Sequence, residues 1–115
     1  MDIEWLRKKC LSWSATSEDI KWGDDLCFLV AGKLFCVANL NAPLQISFQV
    51  KEEEYEELSK SAGIIPAPYM ARARWIQVHT LNVFNKKQWE FYLKQSYDLK
   101  VAKLTKKVRA ELGLS

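Results

Sequence analysis

Leu26-Cys27-Phe28-Leu29-Val30-Ala31-Gly32-Lys33-Leu34-Phe35-Cys36-Val37-Ala38 decides the fold, together with the run Leu44-Gln45-Ile46-Ser47-Phe48-Gln49-Val50 that follows Asn41-Ala42-Pro43. Two apolar runs flank Ala31-Gly32, where glycine supplies the positive φ of a tight turn, so residues 26–40 read as a β-hairpin. A two-residue loop would set Cys27 opposite Cys36 and Phe28 opposite Phe35. A three-residue loop with a bulge at Gly32 would move that register by one. In the third run Leu44, Ile46, Phe48 and Val50 alternate with Gln45, Ser47 and Gln49, the two-residue period of a strand with one buried face.

Helices flank these strands. Ile3, Leu6, Cys10 and Trp13 recur at helical spacing behind Asp2, a suitable N-cap, and predict a helix over residues 2–13. The Ser/Thr-rich stretch 12–17 should end it, because such side chains bond their own backbone. Residues 51–61 switch back to a helix with Tyr55, Leu58 and Ala62 inward and Gly63 as its stop. Ile64 to Pro68, with two prolines, is a constrained connection or edge segment, and Arg74 to Val78 is a further strand. Asn85 and Gln88 form a capping box, with Phe84 stapled to Trp89. Trp89, Leu93, Tyr97, Val101 and Leu104 then form a buried stripe. Thr105 caps a short last helix through Leu112, ended by Gly113. The order α-β-β-β-α-(β)-β-α-α predicts an α+β two-layer sandwich, an antiparallel sheet with helices on one face.

A chain of 115 residues is one domain's worth, 1–115, and its 32 Leu, Ile, Val and Phe suffice for a core. The longest apolar run, Leu26 to Ala31, is far short of a membrane span. The N-terminal residues lack the apolar segment of a secretory signal, and three cysteines, an odd number, fit a reducing compartment. The expected location is the cytoplasm, as for a bacterial cytosolic domain.

Catalytic chemistry finds little support. His79 is the single histidine, and it continues a strand. Neither a nucleophile elbow nor a glycine-rich phosphate loop is present. Cys10, Cys27, Cys36 and His79 lack metal-ligand spacing, and Cys27 and Cys36 read as small core residues, with a cross-strand disulfide open only in the two-residue register. Five of the six residues from Glu52 to Glu57 are acidic, which suits a solvated helix start facing the helix dipole. The expectation is a non-enzymatic protein with no metal and no cofactor.

Charge is uneven along the chain. The net charge of +3 divides into −5 over residues 1–57 and +8 over residues 58–115. Lys100, Lys103, Lys106, Lys107 and Arg109 gather beyond the apolar stripe, where they could neutralise phosphates; the bland reading is a lysine-rich solvent face. Arg72 and Arg74, beside Tyr69 and Trp75, give a second basic-aromatic patch. Alternation puts Trp75 and Ile76 on opposite sides of a strand, so one of the two is a candidate for exposure. Trp22 is a further aromatic outside any core stripe.

Several blocks, in order, resemble the YjbR/MmcQ-like family: Glu18-Asp19-Ile20-Lys21-Trp22-Gly23 with the Leu26–Val37 hairpin and its Gly32-Lys33, Ile65-Pro66-Ala67-Pro68-Tyr69-Met70-Ala71 leading into Arg74-Trp75-Ile76-Gln77-Val78, and Trp89 with Ser96-Tyr97-Asp98-Leu99 and Ala102-Lys103-Leu104-Thr105-Lys106-Lys107-Val108-Arg109. The chain departs at Leu11-Ser12-Trp13-Ser14-Ala15-Thr16, where a Leu-Pro-Gly type turn would be expected. The resemblance implies an α-β(3)-α-β(2)-α fold in two layers, of the kind shared with secretion chaperones. It also implies a second strand between Gly63 and Val78, and a DNA-binding role through a double-wing arrangement of strands and loops. No family motif assigns a contacting residue, so the candidate contacts to double-stranded DNA (Arg72, Arg74, Lys100, Lys103, Lys106, Lys107 and Arg109) rest on charge. The alternative is a protein-interaction module using an open sheet face or edge, with Trp22, Tyr69 and Trp75 as aromatic anchors. A ligand pocket lined by these aromatics has no polar constellation in the sequence to support it.

Overall fold

In the computed structural model, which describes residues 1–114, the hairpin stands inside a six-stranded antiparallel sheet. The strands are β1 (Thr16–Lys21), β2 (Asp25–Val30), β3 (Lys33–Asn39), β4 (Gln45–Gln49), β5 (Ile64–Pro66) and β6 (Trp75–Val78), in the spatial order β1-β2-β3-β4-β6-β5. The helices are α1 (Ile3–Cys10), α2 (Glu52–Leu58), α3 (Lys86–Val101) and α4 (Lys106–Glu111). The α+β architecture is the expected one, with helices packed on the sheet.

The sheet has one strand more before α2 than expected. Thr16–Lys21 pairs along its whole length with β2 and forms one edge. Its sequence is polar because neither of its faces is well buried, so it shows no apolar alternation, and its charged residues suit an exposed edge. The first helix is correspondingly shorter than 2–13. It ends at Cys10, and Ser12 Oγ and Thr16 Oγ1 donate to the carbonyls of Lys9 and Trp13, which turns the chain into β1. Arg7 on α1 holds Glu18 on β1 through two hydrogen bonds of 2.9 Å each.

The hairpin loop is Ala31-Gly32, with Val30 opposite Lys33 and Leu29 opposite Leu34. A bulge then shifts the register, so that Phe28 faces Cys36 and Cys27 faces Val37. Cys27 and Cys36 therefore lie on opposite faces of the sheet, and all three cysteines are free and buried. The two-residue loop is present without the Cys27–Cys36 pairing expected of it, because the bulge sits inside the ladder rather than at Gly32. It turns Phe35 and Cys36 to the same core.

That core lies between the sheet and the helices. Leu6 and Cys10 of α1, and Trp89, Leu93, Tyr97 and Val101 of α3, pack on Phe28, Val30, Phe35, Cys36, Ile46, Phe48, Ile76 and Val78. The capping box of α3 forms as expected, with Gln88 N 2.8 Å from Asn85 Oδ1 and Asn85 N 2.9 Å from Gln88 Oε1. Phe84 and Trp89 meet edge to face at 5.2 Å. On the opposite side of the sheet the chain between β5 and β6 covers a smaller cluster of Cys27, Val37, Ala67 and Trp75. Gly63 does not stop α2, which ends at Leu58 with Ser59 as its C-cap. It leads into β5 instead, at φ +83°, and a Cβ there would lie 2.9 Å from the Thr80 side chain.

One side chain joins the two layers at the bulge. Ser96 on α3 is fully buried; its Oγ donates to the Phe35 carbonyl at 2.6 Å and accepts from the Gln49 N–H at 3.1 Å. The hydroxyl stands where a β3–β4 ladder bond would otherwise close, just past the Cys36–Phe48 pair. Ser96→Ala leaves a buried donor and a buried acceptor unpaired, and should cost about 2–3 kcal/mol in a urea titration; a loss below about 0.5 kcal/mol would show that the ladder closes without the hydroxyl.

The Arg7 hydrogen bonds hold the Glu18 carboxyl below its ordinary value, against a smaller opposing effect of burial. A depressed carboxylate stabilises the fold above its unfolded-state pKa, and that contribution vanishes as pH falls through the folded-state value. Glu18→Gln should therefore lower the melting temperature at neutral pH, and the gap from the parent chain should close in acid. A gap that persisted at the acid end would place the effect elsewhere than in this carboxylate.

Candidate nucleic-acid interface and an open-face groove

Ser96 sets where α3 lies, and Lys100 follows one turn later on the same side of the helix. This carries the Lys100 ammonium to the end of the sheet, where Nζ lies 5.7 Å from the centroid of the Trp75 ring. Burial, chiefly, pushes the Lys100 pKa down, and the charges of Lys103 and Lys33 push it the same way. Lys103 is three residues further along the chain, whereas Lys33 comes from the tip of the β2–β3 hairpin. Three cations from two elements thus gather at one end of the molecule, and none of them makes an ion pair among the described residues. Lys33 was not among the expected contacts. The signal for it was its place beside Gly32, since a residue at a hairpin tip reaches the same end as whatever the sheet abuts there.

The other expected contacts divide. Lys106 and Lys107 are exposed on α4, and Arg109 is half-buried on the same helix. Arg72 is exposed and has no acidic partner among the described residues. Arg74 is differently engaged: it sits in left-handed backbone at φ +63°, bonds Glu52 at 2.8 Å and lies 5.4 Å from the Tyr55 ring. The hydrogen bond that Arg74 donates to Glu52, with the charge of that carboxylate, raises the Arg74 pKa. Its fork is therefore already turned toward a carboxylate rather than toward solvent phosphate.

Trp22 and Tyr69 are exposed, at 71% and 107%, but Trp75 is 2% exposed and is not a surface aromatic. Trp75 and Ile76 do face opposite sides of the sheet. Both sides are covered at that point, by α3 and by the Ala67–Met70 segment, which strand alternation alone does not reveal.

That segment also encloses a groove of about 630 Å³ on the side of the sheet away from the main core. Its rim is Trp22, in the β1–β2 turn, and Tyr69, in the β5–β6 connection. Its floor carries Asp25, Asn39, Gln45, Ser47 and Gln77 from four adjacent strands. Asn39 Nδ2 donates to Asp25 Oδ1 at 3.0 Å, and Gln77 Oε1 lies 2.6 Å from His79 Nε2. This is a polar constellation that the sequence left scattered over residues 25 to 77. Its one trace there was the run of Gln45, Ser47 and Gln49 alternating with the core residues of β4, a row that reads equally well as a plain solvent side.

Among the described residues no cluster of three or more metal-ligating side chains forms, and no helix is long and apolar enough to cross a membrane. The fold and its two surfaces define a small α+β sandwich domain with a basic end and an open-face groove. The YjbR family model matches residues 11–99, and the chain belongs to that family. A crystal structure of the Deinococcus radiodurans protein DR2400, with a DUF419 domain, is similar over 98% of this chain and 88% of its own, at 26% identity and a TM-score of 0.88. The fold is also that of a crystallised Pseudomonas syringae protein, at 21% identity and a TM-score of 0.71, over 86% of this chain and 98% of that one. No curated protein matches the chain.

The contrast among the three aromatics can be measured. Trp75→Ala should cost about 3 kcal/mol or more, as deletion of a buried ring does, whereas Trp22→Ala and Tyr69→Ala should each change stability by no more than about 0.5 kcal/mol. Equal losses at the three positions, by urea denaturation, would contradict this division between core and rim.

Proposed function

We propose that this YjbR-family chain is a non-enzymatic nucleic-acid-binding module that takes the phosphate backbone of double-stranded DNA on its basic end. Lys33, Lys100 and Lys103 form the centre of the contact, with Lys106, Lys107 and Arg109 beyond it and Arg72 as a second point. The observation that carries the reading is the gathering of Lys33, Lys100 and Lys103 without an acidic partner. Their mutual repulsion is a cost in the free protein that a bound phosphate relieves, and each neutralised phosphate releases condensed counterions. The acidic start of α2 fixes the approach, because Glu52, Glu53 and Glu54 repel a duplex laid against that side. Arg74, tied to Glu52, is left out of the contact set.

A protein-interaction module is the competing reading, favoured by the exposure of Trp22 and Tyr69. The two differ in what they require of salt and of the lysines. With about seven phosphates neutralised, the logarithm of affinity for a random duplex should fall against the logarithm of salt with a slope of about −6. Changing Lys33, Lys100 and Lys103 together to Ala should flatten that slope by about 3, measured by filter binding between ~50 and ~200 mM salt. A flat salt dependence, or a triple variant that binds like its parent, would remove DNA and bring the protein-partner reading forward.

A further inference from the structure

We infer that the open-face groove is a binding site for a neutral, planar, hydrogen-bonding heteroaromatic ring of the nucleobase class. The inference is independent of the phosphate reading, because the groove lies on the open face with its polar floor running toward the Asp25–Asn39–Gln45 end of the strands, and only its Ala67–Met70 wall approaches the lysines. Asp25, Asn39 and Gln45 pair across one end of the sheet, and Val30 with Lys33 closes the other.

The rim is the first argument. Trp22 and Tyr69 are the two most exposed large aromatics, and each is held in left-handed backbone, at φ +52° and φ +65°. Side chains other than glycine seldom adopt that region, and it is retained where the surrounding structure enforces it. Here the enforcement is visible: Asp24 N donates to the Trp22 carbonyl at 3.1 Å, and Tyr69 lies inside the turn closed by Met70 N and the Ala67 carbonyl at 3.1 Å. Two exposed rings carried on constrained backbone, on either side of one groove, are available as stacking surfaces.

The floor is the second argument, and it selects the ligand. Among the described residues no lysine, arginine or histidine lines the groove, so an anion finds no counter-charge there. Its single carboxylate, Asp25, is oriented by one hydrogen bond from Asn39 and keeps free acceptor sites, which favour a ring that can donate to it. What remains is a set of groups that both donate and accept: the amides of Gln45 and Gln77, and the Ser47 hydroxyl. Gln77 presents its N–H groups, since its oxygen faces His79. Amide side chains match the mixed donor and acceptor edges of a base, and a glutamine spans the adenine edge with two bonds.

Calorimetric titration of the full chain with adenosine and with cytidine, neutral and free of phosphate, tests this. N-trimethyl-lysine serves as the cationic probe. At least one nucleoside should bind saturably, with little salt dependence. Trp22→Ala and Tyr69→Ala should each weaken it by about 5-fold or more, Gln77→Leu should weaken it as well, and Lys100→Ala/Lys103→Ala should leave it unchanged. Both rim side chains are exposed, so loss of binding in their variants is not loss of the fold. Binding of neither nucleoside, binding of N-trimethyl-lysine in their place, or rim variants that bind like the parent would each overturn the inference. If salt-sensitive duplex binding survived such a result, only the groove reading would fall.

Discussion

The Ser96 hydroxyl, bridging the Phe35 carbonyl and the Gln49 amide, is the contact on which the rest of the structure depends. A bulge frees backbone groups that a regular ladder would pair, and burying them unpaired is expensive. Ser96 answers both in one position, and it does so from α3 rather than from the sheet. The helix is thereby keyed to the two central strands, and its stripe of Trp89, Leu93, Tyr97 and Val101 is set over the core. The bulge also turns Phe35 inward, where it meets Tyr97 edge to face at 5.6 Å and Trp13 at 6.2 Å.

The same keying produces the charged end. From Ser96 the helix has one turn left before Lys100, Lys103 follows just past the helix end at Val101, and the hairpin tip with Lys33 lies at that end of the sheet. A lysine held against the face of a tryptophan keeps its alkyl stem on apolar surface and its ammonium partly out of water. That burial, with the charges of Lys103 and Lys33, lowers its pKa. At the other end the sheet faces are occupied differently: the core side by apolar residues, the open side by amides, a hydroxyl and one carboxylate under two exposed rings. One sheet therefore presents two chemically unlike surfaces, one suited to phosphate and one to an uncharged ring.

Much of this was legible in the residues, and the failures have physical causes. The alternation from Leu44 to Val50 gave β4 its buried face, and Asn85 with Gln88 placed the start of α3, because both signals are local. β1 was illegible because an edge strand exposed on both faces needs no apolar period. The bulge was hidden because Phe35 and Cys36 are both apolar, so either could be the extra residue. Arg74 looked free because its partner Glu52 lies 22 residues away, and Trp75 looked exposed because alternation fixes a side of the sheet without saying what covers it. The groove was out of reach for the same reason: its floor is assembled from four strands, and no window of sequence holds more than two of its residues close together.

A titration of the isotope-labelled chain with a random duplex, followed residue by residue through amide chemical shifts, tests the central claim most directly. The duplex should shift the amides of Lys33, Lys100 and Lys103 while those of Ser47 and Gln77, at the groove floor, stay in place. Shifts confined to the groove, or none at the basic end under low salt, would contradict it.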